Sequence, residues 1–282
     1  RHRARRPKCG TTHEDILTAT SELIQGDDAD FRALMDKITR ERGFQCASYK
    51  DKCLRRRIAV RIRAKGASGC IEYSGMLDAD PQEYERLMRS LTVNVTKFFR
   101  NWETYSAIDQ KVIPAIMQRD DPEIRIWSAG CSSGEEPYSI AILIHRHSAA
   151  NGGARLGSVS IVGTEIDNGC RAEAERAGYA ESALGDTPAD LREGYFPQVA
   201  GLRTMLPEVR RLVTFKHRDM LHFQAPLEDA HLIVCRNVII YLERAAHDEP
   251  FSPFHPPPPS VGLRALGPVR RAPWERRRPF RR

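Results

Sequence analysis

Apolar positions recur along this chain with two periods. Phe31, Leu34, Met35 and Ile38 fall at i, i+3, i+4 and i+7, the spacing of one helix face, and the pattern stops at Gly43. A second stripe, Leu54, Ile58 and Ile62, predicts a helix over 49–64, with Lys52, Arg56 and Arg63 on its opposite face. A third, from Pro81 to about Ser90, carries Tyr84, Leu87 and Met88. Together they predict a small all-helical domain over 25–90. From Ile124 the pattern changes to short apolar runs at 124–128, 159–164, 213–217 and 232–235, with helical stripes at 137–147 and 168–177. Such alternation predicts a parallel sheet with helices on its faces, an α/β, doubly wound Rossmann-like domain over 120–249. Residues 180–212 mix Gly, Pro and aromatics without a clear period and read as a small insert, and 91–119 connects the two domains.

Composition sharpens this mainly at the ends. The formal charge of the 282-residue chain is +7, yet residues 250–282 alone hold eight Arg against one Glu. Five more basic residues stand in the leader, residues 1–24, and eight between Lys50 and Lys65. The rest is acidic, so no general nucleic-acid surface is expected. With nine Pro among its 33 residues, the 250–282 tail is expected to be disordered. Seven scattered cysteines without a CxxC pair read as reduced thiols, and His145 and His147 have no metal-ligand spacing. No run approaches eighteen apolar residues and the leader lacks an apolar signal core, so a soluble cytoplasmic protein is expected, with no membrane insertion.

The stretch IRIWSAGCSSGEEPYSIAIL, Ile124 to Leu143, carries the chemistry. It reads as strand, loop of small residues, then a helix opening on two acids, a shape that lets a ligand approach the loop backbone. Neither GxGxxG nor a Lys-Ser or Lys-Thr pair is present, which argues against a dinucleotide or a triphosphate. Glu135 and Glu136 stand where a helix N-terminus would otherwise attract a phosphate, which favours a cofactor with positive charge such as S-adenosylmethionine.

Four further segments, LTVNVTKFFRNWETY (91–105), GTEIDNGCRAEAERAGY (163–179), FKHRDML (215–221) and IVCRNVIIYLE (233–243), stand with the loop in the order seen in chemotaxis receptor methyltransferases of the CheR type. The chain resembles that family over residues 31–243. The resemblance implies an S-adenosylmethionine-dependent protein-glutamate O-methyltransferase. It would form glutamyl methyl esters on the cytoplasmic domain of chemotaxis receptors, releasing S-adenosylhomocysteine. It also implies an antiparallel insert and sheet order 3-2-1-4-5-7-6. By position, Asn94, Thr96, Arg100, Glu135, Glu165, Asp219, Met220, Asn237 and Val238 resemble cofactor contacts, with Arg100 suited to the methionine carboxylate. Tyr241 resembles the tyrosine beside the transferred methyl, and Arg100 and Tyr241 are the residues implied to act in catalysis, mainly by orienting the reactants. Glu165 stands where a ribose-binding acid is expected, with Asp167 as the alternative. The basic face of Lys52, Arg56 and Arg63 is a candidate docking surface for the receptor, and a monomer is expected.

After about residue 243 the resemblance stops, so the sheet is expected to be incomplete, with its fourth strand an exposed edge. Two alternatives stay open on the sequence: a truncated binding module that holds the cofactor without turnover, and a methyltransferase of another substrate class.

Overall fold

The computed structural model describes residues 28–92, 94–219 and 230–236, and the backbone of a strand at 263–266. The leader, most of the tail, Met220, Asn237, Val238 and Tyr241 lie outside the described residues. Two compact units meet in sequence at Leu91 and Thr92.

The first unit is helical: α1 (Asp28–Arg42), α2 (Asp51–Lys65), α3 (Cys70–Ala79) and α4 (Pro81–Thr92). The stripes read from sequence are its core, with Phe31, Leu34, Ile38, Leu54, Ile58, Ile62, Tyr84 and Leu87 all buried. Left-handed glycines close the first two helices, Gly43 and Gly66 both at φ 70°. Helix α3 escapes the sequence reading because its stripe is only Cys70, Tyr73 and Leu77. The basic run on α2 divides by direction. Arg55 pairs with Asp51 and Asp28, Arg57 donates to the Leu91 carbonyl at 2.6 Å, and Arg61 grips the fully buried Glu83 through two bonds of 2.9 and 2.6 Å. Lys52, Arg56 and Arg63 face outward, as does Val60, which is 52% exposed.

In the second unit a helical stretch precedes the sheet: α5 (Trp102–Ala107), a π turn at Ile108–Val112, and α6 (Ile113–Met117). The π turn lies just before Pro114, which has no N–H to continue an α ladder. The sheet proper is built from β1 (Ile124–Ala129), β2 (Val159–Glu165), β6 (Val213–His217), β7 (Leu232–Cys235) and β8 (Leu263–Leu266), in the order β6-β2-β1-β7-β8 with every pair parallel. Helix α7 (Glu135–Ala150) crosses from β1 to β2, and its Ile140, Ala141 and Ile144 join Ile124, Ile126, Ile161 and Val234 in the core. Helix α8 (Asn168–Arg176) follows β2. The insert carries β3 (Gly178–Tyr179), α9 (Ala189–Tyr195), β4 (Gln198–Val199), β5 (Leu202–Thr204) and α10 (Pro207–Arg210), with the strands antiparallel in the order β3-β5-β4.

The first four strands stand in the 3-2-1-4 order expected, with one correction at the edge. Strand β7 is not an open edge: β8 pairs with it from Leu232↔Leu263 to Cys235↔Leu266. Tail composition hid this strand, because a four-residue run among prolines and arginines does not change an average, whereas an unpaired strand edge offers it a full ladder of backbone partners. No helix among the described residues is long and apolar enough to cross a membrane, and the six described cysteines are free.

Candidate cofactor cleft

Chain order in the sheet reverses between β1 and β7, and the carboxyl ends of the strands around that point gather the residues of interest. After Ala129 the backbone turns sharply. Gly130 (φ 69°), Ser132 (φ 50°) and Gly134 (φ 93°) are left-handed, and the N–H groups of Gly130 and Cys131 both donate to the Thr164 carbonyl, at 2.9 and 3.0 Å. A Cβ at Gly134 would lie 2.9 Å from the Ala174 Cβ and 3.1 Å from the Phe215 ring, so glycine is required there both by φ and by space. Tyr179 donates its hydroxyl to the Ser133 carbonyl at 2.8 Å and pins the loop from the insert side.

Glu165 ends β2, buried, and accepts three backbone N–H groups: Ser132 at 2.8 Å, Ile166 at 2.9 Å and Asp167 at 3.0 Å. Burial pushes its carboxyl up and these bonds pull it back, with a net rise. Asp167 is used locally. One oxygen caps α8 through the Cys170 N–H at 3.0 Å, and the other receives Asn94 Nδ2 at 3.1 Å and Thr92 Oγ1 at 3.3 Å. Of the two acids, Glu165 is therefore the one bonded to the loop. Asn94 is turned toward Asp167 and Thr92.

Segment 94–101 forms the opposing wall. The Phe98 N–H donates to the Ala183 carbonyl at 3.0 Å, and its ring stands edge-on to Tyr179 and Phe196, both at 4.7 Å. The Phe99 N–H donates to Ser139 Oγ at 3.1 Å. Arg100 lies between two left-handed residues, Phe99 (φ 53°) and Asn101 (φ 61°), and donates to the Val95 carbonyl at 2.7 Å. Between this wall and the loop runs a cleft lined by Thr96, Arg100, Tyr105, the loop at 130–132, Glu136 and Arg236 among others.

Two carboxyl groups under the loop are unusually poised. Burial pushes Glu135 up to about 7, against the pull of the Ser133 and Thr96 hydroxyls. Burial likewise pushes Glu136 up to about 7, against Ser128 Oγ at 2.8 Å and the Arg236 charge. A buried acid in this state gains from a cation placed beside it.

Of the residues singled out from sequence, Thr96 and Arg100 line the cleft. Glu135 is buried against the Ser133 and Thr96 hydroxyls, Glu165 is one bond behind the loop, and Asp219 is buried after β6. Glu136, which is not among the cofactor contacts the resemblance implies, lines the cleft, and so do Tyr105 and Arg236. Arg236 had one weak signal, its place beside Asn237 in the IVCRNV segment. The set fits S-adenosylmethionine: buried acids for the positive end, an arginine for the carboxylate, and a loop that admits no side chain at Gly134.

Comparison with known proteins agrees. The CheR methyltransferase SAM-binding domain matches residues 94–267, and the CheR methyltransferase all-alpha domain matches 29–92. Chemotaxis protein methyltransferase 2 of Pseudomonas aeruginosa is 32% identical over 224 residues, covering 76% of this chain and 76% of that protein. The chemotaxis protein methyltransferase of Listeria innocua is 28% identical, covering 82% of this chain and 86% of its own. That of Escherichia coli is 28% identical, covering 88% and 85%. A helical unit followed by a parallel 3-2-1-4-5 sheet, an antiparallel insert and a cleft built for a cationic cofactor thus coincide with both family domains, and this chain belongs to the CheR methyltransferases, enzymes whose cofactor is S-adenosylmethionine.

Proposed function

We propose that this chain methylates glutamate side chains on the cytoplasmic helical domain of chemotaxis receptors, giving glutamyl methyl esters and S-adenosylhomocysteine. The observation that carries the reading is the cleft, where Thr96, Arg100 and Glu136 line one space at the turn of a methyltransferase sheet, with Glu135 buried against the Thr96 and Ser133 hydroxyls. Arg100 would hold the methionine carboxylate, Glu135 the ammonium, Glu165 the ribose hydroxyls, and Asp219 with Met220 the adenine. Asn94, Thr96, Asn237 and Val238 would complete the contacts, and Tyr241 with Arg100 would border the acceptor.

The bound cofactor supplies an electrophilic methyl group whose departure leaves a neutral thioether. The acceptor glutamate, titrating near pH 4.3, is already ionised in neutral solution, so no general base is needed and no proton moves. What remains for the protein is to align the acceptor oxygen and to strip water from it. The Phe98 and Phe99 side chains, both fully buried, make the wall carrying Arg100 stiff and dry. The outward face of α2, with Lys52, Arg56 and Arg63 around the exposed Val60, suits an acidic receptor helix bearing apolar positions.

Incubation with methyl-labelled S-adenosylmethionine and a receptor cytoplasmic fragment tests the reading. Label released as methanol by mild base, and lost when the receptor glutamates are changed to Ala, is the expected result. Label that resists base, or none on the receptor while the cofactor binds, would overturn the carboxylate assignment.

A further inference from the structure

Arg236 follows β7 at the carboxyl edge of the sheet and is only 6% exposed. Its guanidinium carbon lies 5.0 Å from the Tyr105 ring centroid, and its Nη2 donates to Asn101 Oδ1 at 3.1 Å. Its Nε is buried without a hydrogen-bond partner among the described residues. Glu136, whose carboxylate accepts the Arg236 backbone N–H, is the nearby countercharge. A buried guanidinium with a donor left over is a poor way to fill a core, since an apolar side chain of similar volume would serve stability as well or better. Its retention calls for another use.

That use is visible in what it holds. Asn101 begins α5, yet its side chain makes no capping bond to the helix; its oxygen takes the Arg236 donor instead. Asn101 also closes the turn in which Arg100 stands between two left-handed residues. Such a turn persists only where its surroundings over-determine it. Two of the restraints come from the near side, Phe99 N–H to Ser139 Oγ and Arg100 to the Val95 carbonyl. The third comes from Arg236, across the switch point, at the start of the segment that carries Asn237 and Val238.

We propose that Arg236 is a positioning residue: with its guanidinium near the Tyr105 ring and its Nη2 bonded to Asn101, it sets the 99–101 turn and so directs the Arg100 guanidinium into the cleft. The proposal rests on the reading of Arg100 as the contact for the cofactor carboxylate. Lysine cannot substitute, because the geometry uses a flat cation over the ring and a lateral N–H at once.

Titration calorimetry of S-adenosylhomocysteine tests it with the full chain and the variants R236Q, R236K, N101G and R100A, with R236Q and N101G each also combined with R100A. Glycine tolerates the left-handed backbone at 101, so N101G removes the acceptor while leaving the turn allowed. R236Q, R236K and N101G are each expected to raise Kd about tenfold, as for loss of one charge-assisted hydrogen bond. In the R100A background R236Q and N101G should add nothing further, a silence that general loss of stability does not produce. Should R236Q fail to fold, N101G decides. Unchanged Kd in N101G, or losses that multiply with R100A, would overturn the proposal. A wild-type Kd in R100A would instead remove the Arg100 assignment, and the proposal with it.

Discussion

At the scale of single residues, the cleft concentrates groups whose state is set by burial. Glu135, held near 7, gives cofactor binding a pH dependence with a definite sign. Below about pH 7 the acid is neutral and offers an ammonium no charge; above it the carboxylate is formed and binding tightens. Affinity should therefore fall as pH drops from 8 to 6, approaching tenfold per unit at the acid end, and calorimetry should find the dependence flattened in Glu135→Gln. The free protein has the opposite tendency. A carboxyl whose folded pKa lies above its ordinary value contributes stability that is complete below about pH 4.5 and is lost as pH rises through about 7. Thermal melting of the cofactor-free chain should therefore shift down between pH 5 and 8, and less so in Glu136→Gln. Gly134 sets a steric limit at the same site. Gly134→Ala forces a Cβ to within 2.9 Å of Ala174 at φ 93°, and denaturant unfolding should register a loss of about 2 kcal/mol or more together with weaker cofactor binding.

Among elements, the contrast is between helices defined by their own stripes and segments defined by what they touch. Helix α4 is tied into its unit by Glu83, fully buried, which takes two bonds from Arg61 and one from Tyr73 at 2.7 Å. Burial pushes that carboxyl up, but the bonds from Arg61 and Tyr73 outweigh it and hold the group below its ordinary value. Arg61→Ala leaves the buried charge with only Tyr73 and Arg86, the latter at 3.8 Å, and a loss of about 3 kcal/mol is the expected outcome in urea unfolding, with Arg56→Ala on the outward face as the near-neutral comparison. Segment 94–101 has no such autonomy. Its path is dictated by the insert through Phe98 and by α7 through Phe99, which explains why only the resemblance, and no periodicity, marked Arg100 from the sequence. The π turn before Pro114 likewise belongs to an element that a composition reading leaves as a connector.

For the whole molecule, the position of β8 has the largest consequence. Four parallel strands ending at β7 would present a bare ladder edge; with Leu263–Leu266 paired on it the sheet is one strand wider. A chain ended at residue 249 should therefore melt several degrees lower and form concentration-dependent aggregates, read by light scattering beside the melt. Equal melting and monodispersity of the two chains would mean that β8 contributes nothing. What the sequence by itself determined was the features that repeat strongly over a short stretch: three helical stripes of the first unit, the four strand runs, the small-residue loop with its two acids, and hence the cofactor class. Tertiary structure alone decided the use of each acid and base. Glu165 meets the loop and Asp167 caps a helix, Glu136 enters the cleft, Arg55, Arg57 and Arg61 turn inward while Lys52, Arg56 and Arg63 face out, and Arg236 reaches Asn101 across 135 positions of chain. The physical reason is that a period records which side of an element is buried. The partner of a polar group is chosen by the three-dimensional neighbours that remain once the apolar faces have packed.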